Sequence, residues 1–160
     1  YKRQSIATIT ARERGIAQRV FPKTIAEREI FLKIAKRYRH ALDNEDQGML
    51  DLARDLLEGD SIDHIITLGS STLQTADETY REHVVPCVCI HNRIIELLQA
   101  QTSLTETANF VKTHLAIVLV HPKEAERMDV TLGLRTCMPS GWQWGDSIFA
   151  RLTQAAITLK

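Results

Sequence analysis

Apolar residues recur at Ile30, Phe31, Ile34, Tyr38, Ala41 and Leu42, a spacing of three and four. That period places them on one face of an amphipathic helix over 24–42. Pro22 disfavours helical geometry at Phe21, and Thr24 with Glu27 forms a capping box that opens the helix. Asp43-Asn44 closes it. A second helix is expected over Glu45–Glu58, with Met49, Leu50, Leu52, Ala53, Leu56 and Leu57 on its apolar face. Gly59 suits a left-handed C-terminal cap. The link between the two is short, so they are expected to pack as an antiparallel pair.

The helical period continues with interruptions. A third helix is expected from about Ser61 through Ile62, Ile65, Ile66 and Leu68, broken at Gly69-Ser70-Ser71. A fourth should run from Thr72 toward His83, with Val84-Val85-Pro86 kinking or ending it. Residues 87–101 resume the pattern. Ser103 and Glu106 make a second capping box for a helix carrying Leu104, Ala108, Val111, Leu115, Val118 and Leu119. Its end, LAIVLV, suits a buried strand or a buried helix. The upstream cap and the length favour helix, closed by His121-Pro122. Residues 123–129 read as a short polar helix and 130–145 as a loop. A last helix is expected from Asp146 or Ser147. The tetrapeptide GDSI occurs at 59–62 and 145–148, each time before an expected helix, where Asp or Ser can cap.

This pattern predicts an all-α fold, an irregular bundle of five to seven helices. Residues 23–160 form a single helical domain, and residues 1–22 a basic arm, either extended or a short helix. The expected core is Ile30, Phe31, Ile34, Leu56, Ile65, Ile66, Ile94, Leu98, Val111, Leu115, Val118, Phe149 and Leu152.

Charge changes the picture. The chain of 160 residues is neutral, with 20 Lys/Arg against 20 Asp/Glu. Residues 1–40 hold eleven Lys/Arg against three Glu, a balance of +8, and the remaining residues carry −8. Such asymmetry points to a polyanion contact or to charge-complementary assembly. The expected function is a non-catalytic module that binds nucleic acid, DNA or RNA, or a nucleoprotein assembly. The contacts would be phosphate contacts from Arg12, Arg14, Arg19, Lys23, Arg28, Lys33, Lys36, Arg37 and Arg39, with Lys2 and Arg3 beside them. The alternative is a protein–protein adaptor or a self-assembling subunit.

Candidate chemistry adds little. No HExxH, phosphate-binding GxxxxGK[ST], GxSxG or CxxC pattern is present, and no catalytic residue is assigned. His83, Cys87, Cys89 and His91 are zinc-type ligands, but helical or extended spacing spreads them too far for one ion. They read as core residues, so no metal and no cofactor is expected. Trp142 and Trp144, with Arg135 and Met138, have the composition of a partner-binding hot spot. The competing reading is that the tryptophans plug the loop onto the core. No apolar run is long enough to span a bilayer. Three cysteines do not suggest a secreted disulfide framework, and no hydrophobic leader is seen, so a cytoplasmic location is expected.

Overall fold

The computed structural model describes residues 25–160, without the side chain of Ala26. The expected arm over 1–22 and the Thr24–Glu27 capping box lie outside the described residues or run into their edge. Helix α1 spans Ile25–Asp43 and α2 spans Gln47–Glu58. A single turn, α3 (Asp63–Ile66), leads into strand β1 (Thr67–Ser70), and β2 follows at Tyr80–His83. Helices α4 (Cys87–Gln99) and α5 (Leu104–His114) connect to β3 (Ile117–Val120). Then come α6 (Pro122–Glu126), a π-helical turn (Arg127–Thr131) and α7 (Ala150–Gln154).

The fold is therefore mixed, not all-α. The three strands form one sheet in the order β1-β3-β2. β3 runs parallel to β1 and antiparallel to β2, with Glu82 opposite Val118 and Ser70 opposite Leu119. The LAIVLV run does not prolong the helix that begins at Leu104. That helix ends at His114 and the β-branched residues turn extended. β3 is the central strand and is covered on both faces, which is why it reads as a continuous apolar run rather than an alternation. Gly69, at φ 156°, sits at a bulge in the β1–β3 pairing, a backbone conformation that other residues rarely adopt.

Two apolar clusters sandwich the sheet. Phe31, Ile34, Tyr38, Leu57, Ile94, Val111 and Ile117 belong to the cluster under α1, α2, α4 and α5. Leu68, Val118, Val120, Met128, Phe149 and Leu152 belong to the other, under α6 and α7. Successive residues Ile117 and Val118 enter opposite clusters, as strand alternation requires. Ten of the thirteen expected core residues are buried, and Ile30, Leu56 and Ile65 are partly covered.

Several local expectations are corrected. The helix expected over 72–83 is a loop followed by β2. Gly59 is extended (φ −69°, ψ 165°) rather than left-handed, and its N–H still closes α2 onto the Asp55 carbonyl. α2 begins at Gln47 rather than Glu45, and Asp46 caps it by accepting from Met49 N–H at 3.1 Å. His121-Pro122 opens a helix instead of closing one. The His121 ring accepts from Lys123 N–H, and Glu124 reaches back to His121 N–H. Neither GDSI segment caps the helix after it with a side chain.

The polar core is organised by Arg151, whose side chain is fully buried. Its guanidinium donates to the Leu134 carbonyl at 2.8 Å and the His83 carbonyl at 2.7 Å. It also donates to Glu82 Oε1 at 3.1 Å and Asp129 Oδ1 at 3.2 Å. Burial pushes the Glu82 carboxyl up to about 7, with the Asp129 carboxylate adding to the rise and Arg151 opposing it. The folded protein thus holds that proton more tightly than the unfolded chain, where the carboxyl titrates near 4.5. The stability this group contributes is complete below 4.5 and is lost as pH rises through about 7. Glu82→Gln stays neutral throughout. Denaturant unfolding of both proteins across that window should show the wild type losing ground to the variant as pH rises. A gap that does not change with pH would contradict the assignment.

Candidate functional site

The outer face of α1 is a consequence of its own amphipathic period. Phe31, Ile34, Ala35, Tyr38 and Ala41 turn inward, so Lys33, Lys36, Arg37 and His40 must turn outward, and all four are exposed. At 3.6 residues per turn these four fall within an arc of about 100°. No carboxylate lies within ion-pair distance of Lys33, Lys36 or Arg37 among the described residues; the pairs formed there involve Arg54, Arg81, Arg93, His121 and Arg151. Asn44 donates to His40 Nδ1 at 3.3 Å and to its carbonyl at 2.8 Å, holding that ring within the arc.

The other residues expected on this surface are placed differently. Arg28 is exposed but lies about 140° round the helix from Lys33. Arg39 is half-buried and donates to the Thr102 carbonyl at 3.2 Å, tying α1 to the α4–α5 turn. Its Nε is buried without a partner among the described residues. Arg39 thus faces a cavity of about 570 Å³ beside Asp43, Asp46, Leu98 and Gln101, not the open cationic arc. Arg12, Arg14, Arg19 and Lys23 lie outside the described residues, as do Lys2 and Arg3.

The tryptophan loop forms a second surface. Trp144 is half-buried and packs edge-on against Phe110 (5.1 Å between ring centroids) and His114 (5.1 Å) of α5. Arg93 of α4 lies 5.9 Å over its ring. Trp142 meets Trp144 edge-on at 4.9 Å and donates its Nε1–H to the Ser147 carbonyl at 2.9 Å. Met138 is half-buried beside them and Arg135 is exposed. A shallow cleft of about 330 Å³ separates this loop from α4, lined by Cys89, Asn92, Arg93, Met138, Trp142 and Trp144. The pattern of the chain does not point to Arg93 and Asn92, because no spacing rule joins a mid-helix polar residue to a distant loop.

The histidines and cysteines of the 83–91 segment each turn to a protein partner. His83 Nε2–H donates to the Leu57 carbonyl at 3.1 Å, and Cys87 Sγ lies 3.5 Å from the same oxygen. Burial lowers the His83 pKa, and it pushes the Cys87 thiol up to about 12. Tyr38 donates its hydroxyl to His91 Nδ1 at 2.8 Å, where burial raises the tyrosine pKa and lowers that of the histidine. His114, also lowered by burial, donates Nδ1–H to the Phe110 carbonyl at 2.8 Å. A buried polar link joins Ser71 Oγ to Glu124 Oε2. No described helix is long and apolar enough to cross a membrane.

Set against protein-family models, curated proteins and solved structures, the chain matches none of them. The packing of the loop makes a quantitative claim. Trp144 holds two α5 rings and a guanidinium, whereas Trp142 holds Trp144 and one carbonyl. Trp144→Ala should therefore cost more stability than Trp142→Ala, by about 1 kcal/mol or more. Chemical denaturation of the two variants checks the order, and equal losses would mean that the loop is not anchored through Trp144.

Proposed function

We propose that the protein binds nucleic acid through its phosphates, using the exposed arc of α1 together with the basic residues that precede it. One observation carries this reading. Lys33, Lys36 and Arg37 stand exposed on one arc with no carboxylate partner among the described residues. The body they stand on is otherwise acidic. Six of the twenty basic residues and one of the twenty acidic ones precede residue 25, which leaves fourteen against nineteen from there on. A surface acidic by default repels a polyanion, so contact is confined to the cationic arc and the segment before it. Lysine and arginine on a smooth helical face fix position on a phosphate backbone and carry no base code. The interaction is accordingly sequence-tolerant and steeply salt-dependent. Arg39 takes no part in it.

A second reading uses the same arc. The acidic excess over 25–160 makes another copy of this chain, or an acidic partner protein, a complementary surface. Its signature is association that dissolves in high salt with no nucleic acid present.

The deciding experiment is fluorescence anisotropy with unrelated DNA and RNA oligonucleotides over a salt series. In the triple variant Lys33→Glu, Lys36→Glu, Arg37→Glu, affinity should fall about tenfold or more. The log–log salt slope should shrink by roughly 0.9 for each duplex phosphate that the variant no longer neutralises. Circular dichroism should be unchanged, since the three side chains are exposed. A wild type that binds neither nucleic acid at low salt would overturn the proposal. So would a variant with the parent's slope.

A further inference from the structure

The cleft beneath the tryptophans carries two of the three cysteines. Cys89 projects from α4 and Cys137 from the loop that covers it, and both line the same cavity of about 330 Å³. Cys89 is half-buried, and its Sγ lies 3.4 Å from the carbonyl oxygen of Thr136, the residue bonded to Cys137. Standard bond lengths then put Cys89 Sγ within roughly 6 Å of the Cys137 Cα. Cys137 is exposed, and among the described residues its thiol makes a weak S–H contact of 3.5 Å to the Gly133 carbonyl. A disulfide between them would require rotation about the Cys137 Cα–Cβ bond and a movement of the loop that closes the remaining gap between the sulfurs. Cys87 is excluded. It lies two residues earlier on the helix, turned away toward the Leu57 carbonyl.

We propose that Cys89 and Cys137 form a redox-active thiol pair, which a low-molecular-weight disulfide converts to an intramolecular disulfide across the aromatic cleft. The exposed Cys137 thiolate attacks one sulfur of the small disulfide. A protein mixed disulfide forms and one small thiol leaves. Cys89 then loses its proton, and its thiolate attacks the Cys137 sulfur, releasing the second small thiol. The two protein thiols lose two electrons and two protons, and the small disulfide is reduced to two thiols. The order of attack follows exposure. Burial, and next the neighbouring Cys137, raise the Cys89 pKa, so Cys89 is the resolving group rather than the first nucleophile. The new bond ties the loop carrying Met138, Trp142 and Trp144 to α4 and narrows the cleft between them.

The test treats the whole chain with oxidised glutathione and follows it by intact mass and non-reducing peptide mapping. The expected product is a monomer lighter by two hydrogen atoms, with Cys89 joined to Cys137 and Cys87 still free. Cys89→Ser should stop at a single glutathionyl adduct on Cys137, and Cys137→Ser should give no internal bond. Tryptophan emission should change on oxidation of the wild type and not of Cys137→Ser. A bond involving Cys87, a dimer linked through Cys137, or a stable glutathionyl adduct on the wild type would each overturn the proposal. Circular dichroism of both serine variants checks that each is folded. The Cys87→Ser protein, which should oxidise like the parent, is then the remaining arm of the test.

Discussion

A single buried guanidinium sets the arrangement on the α7 side of the sheet. Arg151 binds two main-chain carbonyls and two carboxylates drawn from β2, the π-helical turn and the loop after it. A charge without access to water is tolerable only when such partners are in place, and removing one partner of a buried pair typically costs about 3–5 kcal/mol. The requirement runs both ways. Glu82 can occupy an inward position on an edge strand only because Arg151 meets it there. The π-helical turn brings Asp129 to the same guanidinium, and the helix carrying Arg151 is only five residues long. A helix that short has little stability of its own, so its position depends on what Arg151 and its apolar neighbours hold.

That interaction also explains which parts of the fold are legible in the sequence. The α1 and α2 helices, the helix over 87–99 and the Ser103 start of α5 follow from local rules. The apolar period sets these helices, and the Ser103 hydroxyl does accept from Glu106 N–H, whereas Gly59 is extended rather than left-handed. β2 is hidden because its alternation is inverted. Tyr80 is exposed and Glu82 is buried, so the strand Tyr-Arg-Glu-His shows no apolar face. The reason for the inversion lies far along the chain, in Arg151. β3 is hidden for the opposite reason. Covered on both faces, it has no period to separate it from a buried helix, and its start is fixed where α5 ends at His114. The GDSI segments fail as caps because Ile62 and Phe149, not Asp or Ser, occupy the N-cap positions.

The surfaces divide in a similar way. The α1 arc is readable, since inward apolar positions on an isolated amphipathic helix dictate the outward ones. Arg39 departs from it because its partner is Thr102, a residue of another turn. Trp144 anchors the tryptophan loop on α5, while Trp142 and Met138 edge an open cleft that α4 completes with Arg93, Asn92 and Cys89. The cationic arc and this cleft are separate features with separate chemistry. Electrostatic attraction to a polyanion is proposed at the first, and thiol exchange at the second.

The central functional claim is that contact with a polyanion is localised to one helical face of an otherwise acidic body. Amide chemical-shift mapping by NMR during titration with a short mixed-sequence oligonucleotide tests it directly. The account predicts that perturbations gather around Lys33, Lys36, Arg37 and His40 and in the basic segment before residue 25, and that they fade as salt is added. Perturbations centred instead on the Trp142–Trp144 cleft, or spread evenly over the acidic surface, would contradict it.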